Sequence, residues 1–314
     1  MNTATLEIVR AGTLTTVQDL GRHGHAALGV PRSGALDQPA HRLANRLVGN
    51  PADAATLETT LTGATLRTTR PATVAVTGAP APVRIAGRPA PWAAPAHLPA
   101  GALLDVGTAT GGLRSYIAIG GGIAVPPVLE SRSTDLLSGL GPAPLHDGDV
   151  LPLGETTGRP LHTDTVVWDA PPRELVLPVL LGPRDDWFTT RAIRTLAAAR
   201  YHVATRSNRI ALRMDGPALE RAVPGELPSE GMPVGALQVP PDGRPVLFLA
   251  DSPTTGGYPV IGVVPEHRLR AAAQAPPGLP VRFLPARHRP RAGAPRLRPA
   301  QPRTAHDRPG AHGT

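Results

Sequence analysis

Four stretches of this 314-residue chain set hydroxyl, amide, carboxylate and guanidinium groups among glycines and strand-like runs. The first is Thr15-Thr16-Val17-Gln18-Asp19-Leu20-Gly21-Arg22, followed closely by Gly29-Val30-Pro31-Arg32-Ser33-Gly34-Ala35-Leu36-Asp37. Glycine lets a backbone approach a ligand, and Gln18, Asp19, Arg22 and Ser33 would supply the polar contacts. The same residues also read as a pair of turns ending in a helix cap at Asp37. A second stretch, Leu129 to Asp135, joins Arg132 and Ser133 to two acids. In the third, Arg206-Ser207-Asn208-Arg209, two guanidiniums flank two small hydrogen-bonders. The fourth, Thr254-Thr255-Gly256-Gly257-Tyr258, offers hydroxyls and backbone N–H groups as a cradle for an oxyanion or phosphate. Groups of these kinds suit a small amide or carboxylate substrate.

What the chain lacks narrows the chemistry. None of the 32 basic residues is lysine, so neither a Schiff base nor a biotinyl lysine can form on this chain. Anions must be held by arginine or backbone N–H groups. With no cysteine, thiol nucleophiles and disulfides are excluded. The eleven histidines show no metal-ligand spacing, so no metal site is expected on this chain. The N-terminal residues lack a basic-then-apolar leader, and no apolar run is long enough to span a bilayer. A cytoplasmic protein with no membrane partner is the expectation. From Arg287 onward, seven arginines against one acid carry six of the eight net positive charges. The rest is nearly neutral, which argues against a specific nucleic-acid partner.

The elements that must position these groups are short. Thirty-nine prolines and 34 glycines are spread along the chain, which favours many brief strands and turns over a helix bundle. Strand-like runs recur, among them Leu6–Arg10, Thr73–Thr77, Ser115–Ile119, Glu174–Leu181, Val246–Ala250 and Val260–Val264. Asp242-Gly243 between two apolar runs marks a hairpin. The spacing predicts a helix within 36–50, capped by Asp37, with Pro39 in its first turn and Gly49 as its stop. A second is expected from Thr189 to about Arg200, with Ile193, Leu196 and Ala197 facing the core. A composition break places a boundary near residue 165. The expected organisation is a β domain over 1–165, a second over 166–285 and a disordered Arg/Pro-rich tail over 286–314.

Several runs together resemble one family. Thr15-Thr16-Val17-Gln18-Asp19-Leu20-Gly21-Arg22, Pro31-Arg32-Ser33-Gly34-Ala35-Leu36-Asp37, Ala44-Asn45-Arg46-Leu47-Val48-Gly49-Asn50 and Glu130-Ser131-Arg132-Ser133-Thr134-Asp135-Leu136 carry it in the first half. Gly182-Pro183-Arg184-Asp185-Asp186-Trp187-Phe188, the run from Ser229 to Pro240, and Thr255-Gly256-Gly257-Tyr258-Pro259 carry it in the second. In order over about residues 5–284, they are similar to the biotin-dependent carboxyltransferases, also called allophanate hydrolase subunit 2 or KipA-like. That family includes one of the components of bacterial-type 5-oxoprolinase. The resemblance implies a mainly β fold of two cyclophilin-like β-barrels. It also implies a KipI-like subunit and a third oxoprolinase subunit as partners.

The activity so implied is ATP-dependent opening of 5-oxoproline to glutamate, with ATP and Mg²⁺ acting at the level of the complex. Alternatives are a carboxyltransferase acting on urea or a similar amide with carboxybiotin, and a non-catalytic regulator that binds a KipI-like kinase inhibitor. Under the first reading Arg132 or Arg209 would clamp the substrate carboxylate. Thr254, Thr255 and the Gly256-Gly257 backbone would meet an oxyanion or phosphate, and Asp19, Asp185 and Glu230 are the candidate bases or metal-facing carboxylates. Gln18, Arg22, Ser33, Ser133, Arg206, Asn208, Gln238 and Tyr258 complete the expected binding set. Asn208 stands where the family pattern has Asp, which removes a carboxylate, and Pro253 stands where it has Gln, which removes an amide donor.

Overall fold

A computed structural model describes residues 4–161, 166, 170–225 and 227–287. The expected boundary near residue 165 and the tail from residue 288 lie outside the described residues. The first half holds β1 (Thr5–Arg10), β2 (Leu14–Gln18), β3 (Thr56–Thr60), β4 (Thr65–Thr68), β5 (Ala72–Gly78) and β6 (Val83–Ile85). It continues with β7 (Arg88–Ala90), β8 (Ala96–Leu98), β9 (Leu103–Val106), β10 (Arg114–Ile119) and β11 (Val150–Pro152). These form a six-stranded sheet, β11-β1-β4-β9-β6-β7, and a five-stranded sheet, β2-β3-β10-β5-β8. Successive strand residues point to opposite faces. Leu6, Ile8, Leu66, Leu104 and Val106 of the first sheet therefore share one core with Val17, Leu57, Val76, Ile117 and Ile119 of the second.

The second half closes a barrel from β12 (Leu175–Leu181), β13 (Tyr201–Val203), β14 (Ala211–Asp215), β16 (Ala236–Gln238), β17 (Val246–Phe248), β19 (Val260–Val263) and β20 (Pro280–Arg287). Its order is β12-β19-β16-β17-β14-β13-β20, and parallel pairing of β12 with β20 completes the ring. Closure removes the edges that an open sheet would expose. The short strands β15 (Glu230–Gly231) and β18 (Thr255–Gly256) pair apart from the barrel. Where two barrels were expected, the first half is the face-to-face pair of sheets and the second is the closed barrel. β20 runs to Arg287, so residues 286 and 287 belong to the barrel rather than to the expected tail.

Helix α1 (Gln38–Val48) forms where expected: Asp37 accepts the Ala40 N–H at 3.2 Å, Pro39 sits in the first turn, and Gly49 adopts the left-handed conformation at φ 81°. It packs through Ala40, Ala44, Leu47 and Val48 on Ala75, Tyr116 and Ala118 of the five-stranded sheet. Helix α2 (Thr190–Ala198) begins at its Thr189 cap and leans on β20; helix α3 (Leu269–Ala273) lies near the junction of the halves. Ala197, expected in the core, is exposed, and Ala192 is buried in its place because the apolar face is rotated toward the helix start. Thr189→Ala should lower stability by about 1 kcal/mol, read as a shift in the urea midpoint. An unshifted midpoint would mean that the cap contributes nothing. Among the described residues no helix is long and apolar enough to cross a membrane.

Candidate functional site

The expected site residues fall into two groups, one inside the molecule and one at its surface. The inner group occupies the seam between the halves. Along β2, β3 and β10, alternate residues leave the sandwich core and face this seam: Thr16 and Gln18, then Glu58, then Arg114 and Tyr116. Arg209, just before β14, reaches in from the barrel side. Its guanidinium grips Asp251 with Nε and Nη2, both at 2.9 Å, donates to the Gly34 carbonyl at 2.7 Å, and pairs with Glu58 through Nη1. Arg209 and Asp251 are fully buried, and Glu58 is 1% exposed. Burial alone would raise the Glu58 carboxyl, but Arg209 and Arg114 outweigh it and hold that group below its ordinary value. Burial pushes the neighbouring Tyr116 hydroxyl well up, and it donates to Glu58 at 2.7 Å. The expected substrate-clamp role for Arg209 is corrected: its fork is already filled by this chain's own carboxylates.

Asp19 anchors the other end of the seam. Its carboxylate accepts hydrogen bonds from the Ser131 and Ser133 hydroxyls, both at 2.6 Å, and from the N–H groups of Arg132 at 2.5 Å and Gly21 at 2.8 Å. Burial works to raise its pKa, yet these four donors together hold it below the ordinary value. A carboxylate so satisfied is a loop anchor and a poor proton acceptor, which corrects its expected role as a base. Arg132 turns its Nε to the Val125 carbonyl at 2.8 Å, and Arg22 donates to the carbonyls of Val128 and Ser133. Gln18 Nε2 and Ser33 Oγ both reach the Thr134 carbonyl. The glycines here bring backbone to backbone rather than backbone to ligand. A Cβ on Gly21, at φ 90°, would stand 2.6 Å from the Arg32 carbonyl oxygen.

The surface group gathers at the barrel's end. β15 pairs with β18, placing Glu230 opposite Gly256. Gln238 Nε2 donates to the Tyr258 carbonyl at 3.1 Å and touches the Met232 sulfur at 3.3 Å. Arg221 lies over the Tyr258 ring, 5.9 Å from its centre. Arg184 donates to Glu230 through Nε at 3.0 Å and also through Nη2, both side chains being about one-third exposed. This pairing holds the Glu230 carboxyl below its ordinary value. Asp185, in the 3-10 turn Asp185–Trp187, is half-buried beside that pair. Thr254, Gly256, Gly257 and Tyr258 are half-buried, and Thr255 is exposed. The structure thus brings together Asp185, Glu230, Gln238 and the Thr254–Tyr258 run, with Arg184 added.

Arg206 and Asn208 join neither group. Arg206 is exposed, and Asn208 Oδ1 accepts the N–H groups of Ile210 and Ala211 at the entry to β14. An Asp there would accept the same two bonds, so this departure from the family pattern preserves the turn. Glu58, Arg114 and Asp251 carry the seam without having been singled out in the sequence. Their signal was an acid or base set within or directly after a run of residues otherwise destined for burial. Among the described residues no three His, Asp or Glu side chains converge as a metal site would require.

Similarity to known proteins extends along nearly the whole described length. A family model for the carboxyltransferase domain, subdomains A and B, matches residues 28–285. The chain is 38% identical over 286 residues to the C component of 5-oxoprolinase from Escherichia coli, covering 89% of this chain and 90% of that protein. The crystal structure of TTHA0988 superposes with a TM-score of 0.81 at 36% identity over 90% of this chain, which spans 56% of that one. The urea amidolyase of K. lactis also superposes with a TM-score of 0.81, at 30% identity, over 91% of this chain and 19% of its own length.

Proposed function

We propose, from the premise that the chain belongs to the carboxyltransferase domain family of subdomains A and B, that it is a subunit of an ATP-dependent 5-oxoprolinase. It would act in a complex with a KipI-like subunit and a third subunit. The observation that carries this reading is the match along about nine-tenths of both this chain and the C component of the E. coli 5-oxoprolinase. A second reading, transfer from carboxybiotin to urea or a similar amide, is favoured by the likeness to urea amidolyase. Any biotin would arrive on another chain, because this one has no lysine to bear it.

A lactam is an unreactive amide, so its carbonyl must be activated before water can attack. Phosphorylation of the lactam oxygen by ATP, releasing ADP, supplies that activation. Water then adds to the carbon and loses a proton, and the ring nitrogen departs as the amine. A second water frees phosphate from the resulting acyl phosphate, leaving glutamate. On this chain Asp185 suits the proton acceptor, since its side chain makes no hydrogen bond among the described residues and lies beside Arg184. Glu230, held ionised by Arg184, orients that guanidinium toward a substrate carboxylate. The Thr254 and Thr255 hydroxyls are placed for phosphate contact. Asp185→Asn should lower kcat of the assembled complex on 5-oxoproline by about 10²-fold with little change in KM. An unchanged kcat would remove Asp185 from the chemistry.

A further inference from the structure

A cleft of about 830 Å³ opens between the halves, lined by none of the groups assigned above to chemistry. One wall is the approach to α1 and its first turn; the other is the start of β12 and the turn leading into α3. Its volume falls among those of small-molecule sites, roughly 300–1,000 Å³. The floor is apolar: Leu36, Leu175, Leu249 and Leu269 line it, and each is nearly or fully buried.

Charge on the rim is uneven. Two acids line the cleft, Glu174 and Glu266, and both are already matched. Glu174 pairs with Arg200 and Arg282, while Glu266 pairs with Arg32 at 2.5 Å. Arg270 faces Asp37 electrostatically. Arg42, on α1, and Arg268, before α3, also line the cleft, and their side chains make no hydrogen bond or ion pair among the described residues. The start of α1 is not itself an anion site, because the Asp37 carboxylate already caps it. An apolar floor with two uncommitted guanidiniums on opposite walls suits a ligand with a flat, weakly polar body and a multiply charged anionic end. Guanidinium forks match phosphate oxygens bidentately.

We propose that this cleft binds a nucleotide, its base on the floor between Leu36 and Leu269 and its phosphates between Arg42 and Arg268. The cleft and its charge are features of this chain; the choice of a nucleotide rests on the ATP-dependent reading above. The test is calorimetric titration of ADP into the full chain, alone and in its co-expressed complex, with pyrophosphate and 5-oxoproline as comparison ligands. The expected result is ADP binding that weakens at least tenfold in Arg42→Ala and in Arg268→Ala, yet persists in Asp185→Asn. Pyrophosphate should bind more weakly than ADP, and Leu269→Asp should weaken ADP by disturbing the floor. Circular dichroism of each variant separates lost binding from lost folding. ADP binding indifferent to both arginines, no ADP binding to chain or complex, or 5-oxoproline binding that alone depends on them would overturn the proposal. A complex that hydrolyses ATP with 5-oxoproline, but keeps its KM for ATP in both arginine variants, would sink the cleft and leave the oxoprolinase reading standing. Arginine-dependent ADP binding without 5-oxoproline turnover would do the reverse.

Discussion

Arg209→Met should cost about 3–5 kcal/mol of folding stability, the largest loss expected from any single replacement in this chain. Arg209 is fully buried and answers two carboxylates at once, Asp251 through a two-toothed grip and Glu58 through its remaining nitrogen. Methionine fills much of the volume but leaves both acids in the interior. Asp251 would keep only the Ser33 hydroxyl and the Leu136 N–H, and Glu58 would fall back on Arg114 at 3.5 Å and on Tyr116. The halves meet at this point, so the loss should appear as one cooperative shift of the urea midpoint. Arg67→Met, which breaks the exposed pair with Glu7, is the matched control and should cost at most about 1 kcal/mol. Equal midpoints for the two variants would contradict the role assigned to the seam.

The second large effect is on pH dependence. His41 is fully buried on α1, with Nδ1 2.9 Å from the Thr56 hydroxyl and Nε2 3.4 Å from the Asn45 amide. Burial pushes its imidazole down to about 4. Free of the fold it would titrate near 6.5. Between those values the unfolded chain binds a proton that the folded chain refuses, so stability falls as pH drops from about 6.5 to about 4. The full difference is about 3 kcal/mol. Asp37 acts in the opposite sense: burial raises its carboxyl, so protonation there favours the fold as pH falls. The depressed carboxylates Asp19 and Glu58 contribute stability that is kept above their unfolded values and lost only at lower pH, through their folded ones. Urea titrations at pH 7 and pH 4.5 should show most of the His41 loss in the parent chain and a much flatter response in His41→Gln. Identical slopes in both would show that His41 is not the source.

Helix α1 was legible in the sequence because every signal agreed: Asp37, Pro39, the Ala40–Leu47 stripe and Gly49 all act within one short segment. The Asp242-Gly243 hairpin was legible for the same reason, and Gly243 does take a positive φ of 75° between paired β16 and β17. Strand β2 was hidden because Thr15, Thr16 and Gln18 look like loop residues, yet the strand is buried on both faces, against the sandwich core and against the seam. Glu58 was hidden among threonines, and its partner Arg209 lies 151 residues away. No local pattern marks a pair made only when two halves of the chain meet. Polar motifs in the first half therefore suggested a ligand site, where the fold uses them to join its own parts. The second-half motifs remained at the surface because β15 and β18 pair outside the barrel ring.

The oxoprolinase reading stands or falls most directly on 5-oxoproline-dependent ATP hydrolysis, with glutamate release, by the co-expressed partner subunits with and without this chain. Turnover of 5-oxoproline should appear only when the chain is present and should fall about 10²-fold with Asp185→Asn. Full turnover without the chain, or none from a well-formed complex that instead carboxylates urea from carboxybiotin, would contradict that reading.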